Sequence, residues 1–300
     1  WPISLPERYA GLTKTAVKES EIAGTWEHIN LKYDYGKQDT SSEVVLNADG
    51  TMTVDVTLDG ESADVTVKAA LPATGDGQVL VIVYEDGTEE VIKKSVVEDG
   101  TAYAELPAGA TVKAVDNSKD FGDVSENAWY ADAVDFVSSH ELFEGVDEGV
   151  FAPDDNMTRA MLVTVLYRLE NEPEGFTGVK FGDVKDDTWY TDAVAWASEA
   201  GIVNGNGDGF APNDNITREQ IATVLYRYAQ YLGMDVSAKG DVSSFGDGSE
   251  VSSWASDAMA WAIEVGLFQG DDAGNLNPKA DATRAQVATL IERMVKLIVK

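Results

Sequence analysis

The stretch Phe181-Gly-Asp-Val-Lys-Asp-Asp-Thr-Trp189-Tyr-Thr-Asp-Ala-Val-Ala-Trp196 has two counterparts in the chain, one opening Phe121-Gly-Asp-Val124 and one opening Phe245-Gly-Asp-Gly248. Their starts lie 60 and 64 residues apart, and each is followed by a Gly/Asp/Asn/Pro-rich loop and then a Thr-Arg pair: Thr158-Arg159, Thr217-Arg218 and Thr283-Arg284. Self-similarity at such a period marks a repeated supersecondary unit. Three copies of a helix-loop-helix unit are therefore expected at 118–175, 176–240 and 241–300.

The first helix of each copy is read from Trp129, Trp189 or Trp254 onward. Ala193, Trp196 and Ala197 fall at helical spacing from Trp189, which predicts one apolar face with these aromatics in the core. Gly201 and Gly266 mark the helix ends, because glycine adopts the left-handed backbone that stops a helix. Glu141 stands at that position in the first copy, where a side chain costs on the order of 1 kcal/mol. The first copy is expected to be atypical there, or to end its helix differently.

The threonines Thr158, Thr217 and Thr283 read as N-caps of the second helix, and Gln220 or Gln286 three residues on completes a capping box. Met161 takes that place in the first copy. Buried stripes follow, such as Leu162, Val163, Leu166 and Leu169. An arginine directly after the cap opposes the helix dipole, so its presence in three copies needs a reason. One is an ion pair with a nearby aspartate such as Asp123 or Asp183. The other is a carboxylate or phosphate ligand at the helix N-terminus. The two are compatible.

These three units resemble the surface-layer homology domains of bacterial cell-surface proteins, through Phe-x-Asp-Val, Trp-Tyr-x-Asp-Ala and the Thr-Arg motif, over about 180 of the 300 residues. The resemblance implies three units around a pseudo-threefold axis, with grooves that bind secondary cell wall polysaccharide, often pyruvylated. It places Arg159, Arg218 and Arg284 at the charged ligand contact. Thr158, Thr217 and Thr283, Asp123, Asp183 and Asp247, and Trp129, Trp189 and Trp254 are carried as further candidates for the ligand site. Extracellular attachment to the wall or a surface layer is implied, with peptidoglycan or another copy of the chain as the other partners considered. The motif's glutamate is absent, since the copies read Thr158-Arg-Ala-Met161, Thr217-Arg-Glu-Gln220 and Thr283-Arg-Ala-Gln286, and Gly248 replaces the valine of the third Phe-x-Asp-Val. On this reading Arg218→Ala weakens wall binding and leaves the melting temperature alone.

Composition narrows the alternatives. The chain has 53 acidic and 22 basic residues and a formal charge of −31, divided as −12 over 1–117 and −19 over 118–300. There is no basic footprint for nucleic acid, and an anionic lipid surface would repel the chain. An anionic polymer would have to be recognised by local donors at short range. The absence of cysteine excludes disulfides and thiolate chemistry, and His28 and His140 are the two histidines. No catalytic residues, metal or cofactor are expected, and no apolar run reaches the roughly 20 residues of a membrane span. The start at Trp1 without a signal-like segment reads as a piece of a longer precursor.

Before the repeats, Met52, Val54, Val56 and Leu58 alternate with polar residues at strand period. Asp49-Gly50, Asp59-Gly60, Asp86-Gly87 and Asp99-Gly100 predict hairpin turns, and Val79–Tyr84 reads as a strand buried on both faces. The fold class expected is α+β and multidomain. A small antiparallel β domain, sandwich or barrel, covers 26–117 and an all-α pseudo-threefold bundle follows it; residues 1–25 are a linker or the end of an upstream domain. The stretch 77–117 also resembles the β-rich segment that precedes such repeats in Gram-positive surface proteins, which suggests a spacer. Two wider readings accompany the anchor: a lattice-forming surface-layer protein whose β domain self-associates, and the tail of a secreted hydrolase. Leu71-Pro-Ala-Thr-Gly75 matches a sortase signal but lacks the apolar segment and basic tail such a signal needs, so a turn is preferred. Asn204–Asp208 has the composition of a calcium loop without its closing glutamate, and a solvated turn is preferred there too.

Overall fold

The computed structural model describes residues 25–26, 40–47, 50–58, 61–62, 66–72, 79–176, 181–205 and 209–300. The expected linker up to residue 24, His28, the Asp59-Gly60 turn, and parts of the 71–75 and 204–208 motifs lie outside them. Two compact units are formed. One holds Asp120–Val137 and Leu142–Met294, and the other holds the described residues from Thr25 to Lys119 with Ser138–Glu141 and Val295–Lys300.

The β unit contains β1 (Thr25–Trp26), β2 (Thr40–Leu46), β3 (Met52–Leu58), β4 (Glu61–Ser62), β5 (Thr66–Pro72), β6 (Val79–Val83), β7 (Glu89–Val91), β8 (Ser95–Glu98), β9 (Thr101–Pro107) and β10 (Ala110–Val115). All pairings are antiparallel. One sheet runs β1-β2-β3-β10-β6-β7, with β4 beside β3, and a second runs β5-β9-β8. The Asp86-Gly87 and Asp99-Gly100 signals fall between paired strands. Glu98 pairs with Thr101, leaving Asp99 and Gly100 as a two-residue turn with φ of 50° and 74°, the left-handed pair that matches strand twist. Met52 and Val54 are buried while Asp55 is exposed, as alternation predicts. The strand β6 departs from its sequence reading: Val79, Leu80 and Val81 are buried, but burial fades through Ile82 and Val83, and Tyr84 is exposed beyond the strand end. Leu71 of the sortase-like motif is buried in β5 opposite Ala102.

The helical unit contains α1 (Ala131–Ser139), α2 (Arg159–Leu169), α3 (Thr191–Glu199), α4 (Arg218–Tyr231), α5 (Ser256–Glu264) and α6 (Arg284–Val299), of which α1 and α6 run on into the second unit. The second helix of one copy packs on the first helix of the next, α2 on α3 and α4 on α5. Aromatic pairs mark both seams: Tyr167 lies 5.8 Å from Trp196, and Tyr226 lies 5.6 Å from Trp261. Trp196 and Trp261 are fully buried and their indole N–H groups have no partner among the described residues. No helix among the described residues is long and apolar enough to cross a membrane.

The copies are also joined through their loops. Met157 N–H donates to the Ala282 carbonyl, Ala282 N–H to Ile216, and Ile216 N–H to Met157, at 2.9, 3.0 and 2.9 Å. Each copy touches the other two in this closed triangle. Further bonds run round the three copies in the opposite sense: Arg159 N–H to Asp214 and Ala160 N–H to Pro212, Arg218 to Ala280 and Glu219 to Pro278, Arg284 to Asp155 and Ala285 to Pro153. The free N–H groups that open each second helix are thus satisfied by carbonyls of the following copy, the third returning to the first.

Glu141 takes the left-handed backbone at φ 58°, like Gly201 at 73° and Gly266 at 77°. The first copy therefore ends its helix as the others do, and its side chain bears the strain. Glu141→Gly should raise unfolding stability by about 1 kcal/mol; an unchanged or lower denaturation midpoint would mean that the side chain has a compensating role.

Candidate functional site

The three aspartates and three arginines grip the same short segments from opposite sides. Asp123 accepts from the N–H of Phe151 at 2.9 Å and of Ala152 at 2.7 Å. Asp183 does the same for Phe210 and Ala211 at 2.8 and 2.7 Å, and Asp247 for Leu276 and Asn277 at 2.7 and 2.6 Å. On the other side of each first residue the carbonyl is taken by an arginine of the preceding copy. Arg284 Nε donates to Phe151 at 2.7 Å, Arg159 to Phe210 at 2.8 Å and Arg218 to Leu276 at 2.7 Å.

The direct ion pair expected between these residues is therefore replaced by a shared peptide, and none of the ion pairs among the described residues joins them. The carboxylates still feel the cations. The Phe210 N–H is the largest influence holding Asp183 below the usual carboxylate range, with Ala211 N–H and Arg159 adding against an upward push from burial. For Asp123 burial pushes upward most, but the Phe151, Ala152 and Asp123 N–H groups and Arg284 together outweigh it and leave the group lowered. Burial lowers all three arginines, opposed by Asp214 and Asp183 at Arg159, by Asp271 and Asp247 at Arg218, and by Asp155 and Asp123 at Arg284. A guanidinium remains charged throughout.

Rings complete the lock. Arg159 lies 4.9 Å from the Phe210 ring centre, Arg284 lies 4.6 Å from Phe151, and Arg218 lies 5.1 Å from Phe268, since its own acceptor residue Leu276 has no ring. The guanidinium ends differ more. Arg159 Nη2 reaches the Asn204 carbonyl at 3.3 Å and Arg284 Nη2 reaches Glu144 at 2.8 Å. The terminal nitrogens of Arg218 have no partner among the described residues.

The threonines face their own helices. Thr158 Oγ1 accepts from Met161 N–H and Thr283 Oγ1 from Gln286 N–H, both at 3.3 Å. In the first copy the Met161 sulfur sits 3.5 Å from Thr158 N–H where glutamine sits elsewhere. At Thr217 the Gln220 side chain accepts the cap N–H at 3.1 Å, and the hydroxyl is buried with no hydrogen-bond partner among the described residues.

The tryptophans correct the core expectation. Trp129, Trp189 and Trp254 are 68%, 61% and 57% exposed. Trp189 precedes α3, so it drops out of the apolar face formed by Ala193, Trp196 and Ala197. Trp129 and Trp189 stand edge-on to Tyr130 and Tyr190, at 5.3 and 5.0 Å. Another set was legible and missed. Arg168, Arg227 and Arg293 recur ten residues after each cap threonine. Arg168 reaches the Leu142 carbonyl and Glu144, Arg293 reaches Leu267, and Arg227 reaches Asn204 when that amide turns its oxygen toward the arginine. Aligning the copies beyond the Thr-Arg pair would have found them.

Residues 120–160, 180–222 and 244–288 match the S-layer homology domain. The chain carries a C-terminal triplet of S-layer homology domains. Residues 6–97 match a C-terminal lipocalin-like domain. Among similar proteins, an amylopullulanase of Thermoanaerobacterium thermosulfurigenes is 29% identical over 93% of this chain and 15% of its own length. The surface-layer 125 kDa protein of Lysinibacillus sphaericus is 34% identical over 65% and 16%, and a cellulosome-anchoring protein of Acetivibrio thermocellus is 29% identical over 52% and 35%. The chain thus spans between about a seventh and a third of these relatives.

Two outcomes test the lock. Arg284 is 6% exposed, so Arg284→Ala leaves two carbonyls without their donor and should cost about 2 kcal/mol in urea unfolding; a cost near zero would show that the Arg284 side chain is dispensable to the fold. For Asp183, folding lowers the pKa, so its stabilisation is complete above the unfolded value of about 4 and is lost as pH falls through the folded value. Asp183→Asn should lower stability at neutral pH and flatten the decline of stability below about pH 4, as followed by urea midpoints across pH.

Proposed function

We propose that the triplet anchors its parent protein non-covalently to the bacterial cell wall by binding secondary cell wall polysaccharide. The observation that carries this is the repeated exposure of an indole at one position in all three copies, on a framework tied down by the Asp-peptide-Arg lock. An exposed aromatic face suits the C–H face of a sugar, and a rigid mount keeps the ordering cost of binding low. Anchoring makes no demand for a nucleophile or acid–base pair, and the module is read as non-catalytic. The similarity to a surface-layer protein and a cellulosome-anchoring protein supports a cell-surface setting.

The finer architecture belongs to this reading. The cyclic order of the loop bonds supports three copies set about a pseudo-threefold axis, and the sequence boundaries near residues 118, 176 and 241 fit units that each end in the second helix. The antiparallel β unit acts as spacer between the anchor and whatever lies upstream. Pyruvylated sugar is the ligand chemistry favoured by the family resemblance. Several contacts along one repeating polymer would bind by avidity. A second reading, that the chain is the tail of a secreted hydrolase, is favoured by the amylopullulanase match across 93% of the chain; it changes the cargo and leaves the anchor as it is.

The test is co-sedimentation with Gram-positive cell walls before and after mild stripping of the secondary polymer. The chain should pellet with intact walls only. Its Trp129→Ala/Trp189→Ala/Trp254→Ala variant should stay in solution while melting as the parent does, since exposed substitutions shift stability by only about 0.5 kcal/mol. Equal binding to stripped walls, or none to either, would sink the reading.

A further inference from the structure

In each copy the loop between the two helices sets a side chain, a glycine and an arginine together. The dipeptides are Glu144-Gly145, Asn204-Gly205 and Gln269-Gly270, and the arginines are Arg168, Arg227 and Arg293. Glu144 makes an ion pair with Arg168 at 2.9 Å, and Gln269 Oε1 accepts from Arg293 at 3.4 Å. With its amide oxygen turned to the arginine, Asn204 accepts from Arg227 Nη2 and Nη1 at 3.2 and 3.3 Å, and its amide nitrogen donates to the Val203 carbonyl at 3.2 Å.

Packing requires the glycines. A Cβ on Gly145 would lie 2.8 Å from the Val150 carbonyl oxygen, and one on Gly270 would lie 2.9 Å from the Phe245 ring. On Gly205 it would lie 2.7 Å from the Phe181 ring and 2.8 Å from the Gly209 carbonyl oxygen. Asn204 is thus obliged to precede the one residue that leaves an asparagine most open to attack by the next peptide nitrogen, because glycine has no side chain to shield it. Asn204 and Gly205 are both exposed, and the Gly205 N–H has no partner among the described residues. The other copies lack this reactivity. Glu144 has no amide to lose, and Gln269 would have to close a six-membered ring, which forms far more slowly than the five-membered ring of asparagine.

We propose that Asn204-Gly205 is a self-modification site, at which the Gly205 nitrogen attacks the Asn204 amide carbon and Arg227 stabilises the charge that develops on the amide oxygen. The Gly205 nitrogen gives up its proton and bonds to Asn204 Cγ. The Cγ–Nδ2 bond breaks, and the amide nitrogen takes up a proton and leaves as ammonia. One water then opens the succinimide at either carbonyl, leaving aspartate or isoaspartate. A guanidinium that donates two bonds to the reacting oxygen acts as the donors of an oxyanion hole do in acyl transfer.

The two products act differently. An aspartate pairs with Arg227 as Glu144 pairs with Arg168, so the loop keeps its form. Isoaspartate adds a carbon to the main chain just before Gly205, where the Phe181 ring and the Gly209 carbonyl leave no room. It also displaces the Asn204 carbonyl that Arg159 of the first copy reaches at 3.3 Å. Isoaspartate therefore loosens the seam between the first and second copies.

The test holds the whole chain at neutral pH and samples it over weeks, folded and in urea, beside Arg227→Gln and Asn204→Gln. Peptide mapping with electron-transfer fragmentation assigns each gain of one mass unit to a residue, separates Asn204 from Asn206, which also precedes a glycine, and distinguishes isoaspartate from aspartate. Folded Asn204 should convert faster than unfolded Asn204. Arg227→Gln should convert at least about tenfold more slowly when folded and at the parent's rate in urea. The urea midpoint of the aged parent should fall as isoaspartate accumulates, while that of aged Asn204→Gln stays constant. Equal folded rates in the parent and Arg227→Gln would overturn the inference. Should Arg227→Gln fail to fold, the parent alone decides: conversion at Asn204 that is no faster folded than in urea would overturn it.

Discussion

A closed triangle of peptide hydrogen bonds, from Met157 to Ala282, from Ala282 to Ile216 and from Ile216 back to Met157, is the constraint on which the helical unit depends. It ties together residues scattered over more than a hundred positions of chain. Each second helix begins beside one corner, so its unpaired N–H groups meet carbonyls of the next copy. The arginine that follows the cap then lies where its side chain crosses the same seam. A cation there opposes the helix dipole, a cost of a few tenths of a kcal/mol or more. One charge-assisted bond to a carbonyl at Arg218, and two each at Arg159 and Arg284, offset that cost.

The same arrangement bears on how a strongly acidic chain would hold the anionic polymer proposed as its ligand. The overall field of −31 works against it, and screening confines that field to short range. Many of the aspartates nearest the arginines are committed to backbone N–H groups, so they brace loops without neutralising the cations by direct pairing. What remains is a surface with local donors and exposed indoles. Recognition by such a surface is decided over a few ångströms.

The sequence made the repeats, the helix stops and the hairpin turns legible because each depends on a local rule: glycine where φ is positive, alternation in a strand, a threonine before a helix. The α+β class followed from those rules. The partners of Arg159, Arg218 and Arg284 were not legible. Their acceptors are backbone carbonyls, and a carbonyl leaves no mark on residue type, so the aspartates stood out as the visible partners instead. Trp189 was misplaced for a related reason. Helical spacing counted backward from Trp196 includes it, but the helix starts at Thr191 and the spacing rule stops there. The uneven burial of Val79–Tyr84 depends on where the strand runs out, and its apolar composition does not record that.

Closure has a bearing on how such modules are counted. In a stack of repeats, each unit meets only its neighbours, and another unit can be added at either end. Here the third copy's Arg284 reaches back to Phe151 and Glu144 of the first, so neither end is open. A fourth copy would find no unfilled seam, and losing one copy would strand donors on one side and carbonyls on the other. The number three is thus built into the bonding, and longer anchors of this design would have to grow by whole rings.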